Sequence, residues 1–157
     1  MPASGGGAPP RIEPKSLGDC LEVMSRAAFQ GGMSWRVVEA KWPGTREAFH
    51  NFDIASVAGM SETDIDRLAN DSRLIKNRRK IAGVVANARK VIELDDRHGS
   101  FRDYLRSHGG FDGTVRALRK DFKFLGEFGS YYFLYVVGED VPSHEEWMAA
   151  HSGGARR

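Results

Sequence analysis

The fifteen residues from Phe124 to Gly138 carry a single charge, Glu127, and are otherwise apolar on nearly every side. A segment of that kind has no polar face to offer water, so it predicts a buried central helix around which the rest of a domain is wrapped. It is shorter than the ~20 residues that span a bilayer. No other apolar run approaches that length, and the Gly- and Pro-rich start lacks the basic flank and apolar core of a secretory signal. Neither a membrane partner nor export is expected, and the cytoplasm is the expected location.

The segments around that centre also have helical spacing. Leu21, Met24 and Ala28 fall on one face, as do Ile81, Val84, Val85, Ala88, Val91 and Ile92 on another segment, and neither set alternates as a strand would. Ser34 before Trp35, Asp53 before Ile54, and Ser61 three residues ahead of Asp64 mark helix starts. The expected fold is all-α. At 157 residues the chain fits one domain. The Gly- and Pro-rich composition of residues 1–15 and the loose end at 150–157 predict a flexible leader and tail around a helical domain at 16–149. Cys20 is the only cysteine, which excludes an internal disulfide or a Cys-rich zinc cluster and suits a reducing compartment.

The net charge of +2 is too small to imply a polyanionic partner, but its distribution is uneven. Between Arg67 and Lys90 eight basic residues face one acid, Asp71, with acids grouped on either side. The run Leu74 to Lys80 lies between a helix ending near Asn70 and a long helix starting near Asn77. This arrangement predicts a tight helix-turn-helix connection. A helix N-terminus there would present unpaired amides and positive dipole, and flanking Lys and Arg would add charge, so Lys76, Asn77, Arg78, Arg79 and Lys80 are candidate phosphate ligands. Asn77 is a residue that can adopt the left-handed conformation of such a turn. The other reading of such a charge run is a solvated helix face.

Three blocks resemble the bacterial 3-methyladenine DNA glycosylase I family, a branch of the helix-hairpin-helix DNA glycosylases. Phe29-Gln30-Gly31-Gly32-Met33-Ser34-Trp35, followed by Phe49-His50-Asn51-Phe52-Asp53 and Val57 to Met60, is similar to the family's Gln-Ala-Gly-Leu-Ser-Trp region. Asp64 to Leu68, running through Ile75-Lys76-Asn77-Arg78 to Asn87-Ala88-Arg89, resembles its hairpin and following helix. The hairpin lacks the glycines of the usual Leu-Pro-Gly-Val-Gly connection, as is normal for this family. Phe122-Lys123-Phe124-Leu125-Gly126, with Tyr131 and Phe133, is similar to its Phe-Lys-Phe-Val-Gly block. Together the blocks cover about residues 20–144.

The resemblance implies a helical domain that wedges into duplex DNA, flips a damaged nucleotide and hydrolyses its N-glycosidic bond. By the same resemblance Trp35 and Tyr131 would stack on the flipped base, while Gly32 and Met33 would form the wedge. A stacking ring returns roughly 1–3 kcal/mol per base, and a cationic alkylated adenine adds cation-π attraction. The chain departs from the family at three places. Ala27 occupies the position of the base-recognising glutamate, and Glu22 lies five residues earlier on another face. The family's N-terminal segment bears pocket aromatics, whereas residues 1–15 here hold no His, Trp or Tyr. The family's zinc site is also unmatched, because Met148 stands four residues after His144 and Cys20 falls inside a predicted helix. No metal and no cofactor are expected. Asp95 and Asp96 stand near the distance past the hairpin at which many related glycosylases place a catalytic aspartate. They are given no role, and the catalytic residue is left unassigned.

Double-stranded DNA is the expected partner and a monomer the expected state. Two other readings stay open: a DNA-binding or lesion-sensing protein that kept wedge and hairpin without chemistry, and a helical module whose basic hairpin meets an acidic protein.

Overall fold

The structure is a computed structural model that describes residues 8–155. The described residues form helices joined by turns, with no strand among them. They run α1 (Leu17–Gln30), α2 (Trp35–Ala48), a 3-10 turn at His50–Phe52, α3 (Ile54–Ala58), α4 (Glu62–Ala69) and α5 (Arg78–His98). The chain continues through α6 (Phe101–Leu105), α7 (Phe111–Asp121), α8 (Glu127–Val136) and α9 (His144–Ala155). No helix among the described residues is long and apolar enough to cross a membrane.

Side-chain caps set the helix starts. Ser34 accepts from the Arg36 amide, Asp53 from that of Ser56, and Ser61 and Asp64 close a reciprocal capping box. Each satisfies an amide that the first helical turn leaves open.

Two apolar clusters share α1 and α5. The first half of α5, through Ile81, Val84 and Val85, joins Leu21, Phe29, Trp42, Phe49, Phe52 and Leu68. The second half, through Val91 and Leu94, joins Met24, Phe101, Tyr104, Leu118 and Phe133. The 21 residues of α5 therefore form a spine whose first half packs in one cluster and whose second half packs in the other.

The central apolar helix begins later than its composition predicts. Phe124 has φ 58°, in the left-handed region, and Gly126 caps α8, so the stretch after Phe122 is a loop and the helix starts at Glu127. Contacts and helix reach outside residues 16–149 at both ends. The Ile12 amide donates to the Val136 carbonyl at 2.7 Å, and the Arg11 guanidinium lies 4.3 Å above the Tyr135 ring. Proline and glycine weaken local structure, but they do not prevent a short extended segment from packing on α8. At the other end α9 continues to Ala155, past the expected boundary at 149. Residues 1–7 and 156–157 of the expected leader and tail lie outside the described residues.

A candidate nucleic-acid interface and base pocket

Residues 70–77 connect α4 to α5, and Asn77 ends the connection as the cap of α5. Its φ and ψ are −143° and 94°, extended and not left-handed, and its side chain accepts the Lys80 amide at 3.1 Å. An N-cap residue takes extended backbone so that its side chain can fold back over the first turn, and here capping decides the conformation. The cap satisfies Lys80, and the amides of Arg78 and Arg79 have no acceptor among the described residues. They open at the positive end of a 21-residue helix.

The cations around that N-terminus divide into two groups. Arg78 is tied to Asp66 at 2.8 Å and Glu62 at 2.6 Å, both on α4. Arg73 is held by Asp71 at 2.6 Å and Glu47 at 3.2 Å, and the guanidinium pulls the Asp71 carboxyl down to about 2. Arg89 donates to the Ala58 and Met60 carbonyls and locks α3 to α5. Lys76 is exposed with no ion pair among the described residues, while Arg79 is exposed above the Phe124 ring at 5.8 Å. Lys80 is half-buried, its pKa lowered by burial, and its ammonium donates to the Gly31 carbonyl at 2.5 Å.

That last bond reaches the loop between α1 and α2. Gly32 has φ 77°, which only glycine adopts freely, and the Met33 amide closes the turn on the Gln30 carbonyl at 3.0 Å. The result is an apolar side chain, Met33, 38 % exposed at the tip of a short loop fastened to the cationic helix end. Trp35, the first residue of α2, is half-buried, and no aromatic ring packs on it among the described residues.

On the other side of Gly31 lies a cavity of about 260 Å³. Ala27, Gln30 and Gly31 of α1 and its following turn form one wall, with Pro9 at the edge. The α8 residues Phe128, Gly129, Tyr131, Tyr132 and Tyr135 form the second, and His144, Trp147 and Met148 of α9 the third. Ala27 and Tyr131 are thus brought to one pocket, while Trp35 is not among the residues that line it. None of the lining residues is an acid. Glu22 is turned away, its carboxylate accepting from Trp42 Nε1 at 2.9 Å and Arg46 Nε at 3.0 Å. Asp95 is equally remote, capping the Phe101 amide at 2.9 Å.

The residue that composition and motif did not single out is Trp147. Its ring lies flat between Tyr131, 4.3 Å away at 9°, and His151, 3.9 Å away at 18°, with the Phe128 edge against it at 5.0 Å. Tyr131 is only 3 % exposed, its hydroxyl donates to the Pro142 carbonyl at 2.8 Å, and burial pushes its pKa up. These contacts fix Tyr131 as the pocket floor and α9 as the piece that closes it. The spacing of His144, Trp147, Met148 and His151 along one helical face was the available signal. No group of three or more His, Cys, Asp or Glu able to hold a metal occurs among the described residues.

Comparison with known proteins places this geometry. The DNA-3-methyladenine glycosylase 1 of Escherichia coli (strain K12) is 29 % identical, the match covering 82 % of this chain and 79 % of the relative. The DNA-3-methyladenine glycosylase of Haemophilus influenzae is 31 % identical over 76 % of this chain and 73 % of its own. A crystal structure of 3-methyladenine DNA glycosylase I superposes with a TM-score of 0.70 at 28 % identity, covering 81 % of both chains. The Staphylococcus aureus enzyme, whose structure addresses 3-methyladenine recognition, gives 0.70 at 25 % identity over 81 % of this chain and 79 % of that one. The family model described as methyladenine glycosylase matches residues 15–123, more than half of the sequence, and the chain belongs to that family.

Proposed function

We propose that the protein is a DNA base-excision glycosylase that draws an alkylated purine out of duplex DNA and hydrolyses its N-glycosidic bond. The observation that carries this reading is the position of Gly31. Its carbonyl is bound by Lys80 at the phosphate-facing end of α5, and the same residue lines the aromatic cavity. One short loop therefore joins a backbone-binding surface, an exposed apolar wedge at Gly32 and Met33, and a base-sized pocket. In this reading Lys76, Asn77, Arg79 and Lys80 hold the strand at the α5 N-terminus. Arg78 acts mainly by holding α4 against it. Trp35, with a ring face uncovered by other aromatics, meets the base as it leaves the stack, and Tyr131 supports the pocket from below.

The chemistry asks little of the pocket. A 3-alkylated adenine is cationic while attached, so breaking the bond from C1′ to the ring nitrogen returns the electron pair to the base and neutralises it. Water adds at C1′ and gives its proton to solvent. Departure needs no general acid, and a pocket that favours the cation through aromatic faces supplies selectivity without a carboxylate at Ala27. Both parts come from one chain, which fits a monomer acting on double-stranded DNA.

Ala27 also favours a second reading, a lesion-sensing protein that binds without cleaving. Mass spectrometry of bases released from methylated genomic DNA separates the two. Release of 3-methyladenine or 7-methylguanine, lost in Trp35→Ala, is expected. Salt-sensitive duplex binding with no release would establish the sensing role.

A further inference from the structure

Phe124 is held in an arrangement that its own burial does not account for. Its ring is 38 % exposed although the backbone sits at φ 58°, a conformation that opposes a bulky side chain by about 1–2 kcal/mol. The surrounding structure enforces it. Asn87 grips the preceding residue from both sides, donating to the Lys123 carbonyl at 3.0 Å and accepting its amide at 2.8 Å. Gly83 makes room for the ring: a Cβ there would lie 2.8 Å from Phe124 Cδ2. Arg79, one turn before Gly83, lies over the ring at 5.8 Å.

Arg79, Gly83 and Asn87 follow one another at four-residue intervals and form one stripe on α5, and Lys80 lies three residues before Gly83. The ring is therefore seated on the α5 turn that follows Lys80, the lysine that fastens the Met33 loop. An exposed ring topped by an exposed guanidinium, at the mouth of a cationic helix end, matches the alternation of apolar deoxyribose and charged phosphate along a DNA strand.

We infer that Phe124 is a second DNA-contacting apolar side chain, packing on the deoxyribose edges of the strand whose phosphates the α5 N-terminus holds, and that its ring aims Arg79 at the adjoining phosphate. This assignment rests on the DNA reading above. It makes Phe124 a positioning residue, outside the base pocket, whose loss weakens every duplex alike.

The test is binding of the full chain to a short undamaged duplex, followed by fluorescence anisotropy across a salt series. Phe124→Gly, which keeps the left-handed backbone, is expected to bind about tenfold more weakly, with a salt slope lowered by less than one because Arg79 loses its aim. Phe124→Tyr is expected to bind like wild type, and Arg79→Ala to flatten the slope by about one. A purely structural role for the ring would lower the melting temperature and leave affinity untouched. Wild-type affinity in Phe124→Gly, with the wild-type chain binding normally, overturns this assignment alone. Failure of the wild-type chain to bind duplex overturns it together with the DNA reading.

Discussion

The α5 N-terminus and the aromatic pocket share the Gly31 loop, but they are built in different ways. The hairpin lies inside the matched family segment, and its working groups are the capped backbone amides together with the cations around them. The pocket draws eight of its twelve lining residues from beyond residue 123, where that match ends. It also carries Ala27 where the family resemblance places a carboxylate. A grip shared between backbone amides and several cations loses only part of its strength with any one side chain, whereas a pocket made of side chains changes with each one. The grip on DNA is therefore expected to be ordinary for the family and the base pocket to be its own.

The largest expected effect falls on the pocket. Trp147→Ala removes a buried ring stacked on both faces, so it should cost about 3–5 kcal/mol in denaturant unfolding and remove base release. Lys76→Ala, on an exposed hairpin residue, should stay within about 0.5 kcal/mol of wild type. Equal stabilities in the two variants would mean that α9 is not the closing wall. On the hairpin side, Lys76→Ala should weaken duplex binding and lower the salt slope by about one. Arg78→Ala should lower it less, since two α4 carboxylates already neutralise that guanidinium. A full unit of slope lost in Arg78→Ala would return it to the phosphate-binding set.

Ala27→Glu sharpens the contrast from the other direction. A carboxylate entering the cavity gives a cationic base a charge-assisted partner, and kcat/KM for 3-methyladenine release is expected to rise about tenfold. A fall would indicate that the small side chain, opposite Gly129, is needed by the wall itself. The smallest effect is acidic unfolding at the hairpin. Arg73 lowers the Asp71 carboxyl from 3.8 to about 2, so its stabilising contribution is complete above the ordinary value and disappears as pH falls through about 2. A pH titration of stability should show this loss in wild type and not in Asp71→Asn.

Much of the scaffold was legible because its signals are local. Ser34, Asp53 and the Ser61–Asp64 pair announce helix starts within three residues, and the structure places helices there. The partition of the cations was not legible, because it depends on what α4 brings opposite α5. Arg78 and Lys76 are equivalent in sequence, yet only Arg78 meets Asp66 and Glu62. The pocket was half legible. Ala27 and Tyr131 came from the family resemblance, whereas Trp147 lies beyond the matched blocks, just ahead of the glycine-rich end, and its aromatic helical face drew no notice. Phe124 was read as helical because composition cannot reveal a backbone held left-handed by Asn87, far away in sequence.

The most direct test of the account is whether the base enters the cavity between α1, α8 and α9. Single-turnover release of 3-methyladenine from a defined duplex should be compared in wild type and in Ala27→Met, which fills that space, with binding to undamaged duplex measured alongside. The account predicts release by wild type and none by Ala27→Met, at equal duplex affinity. Release at the wild-type rate from the filled variant would contradict it, and would place the reacting base somewhere other than this pocket.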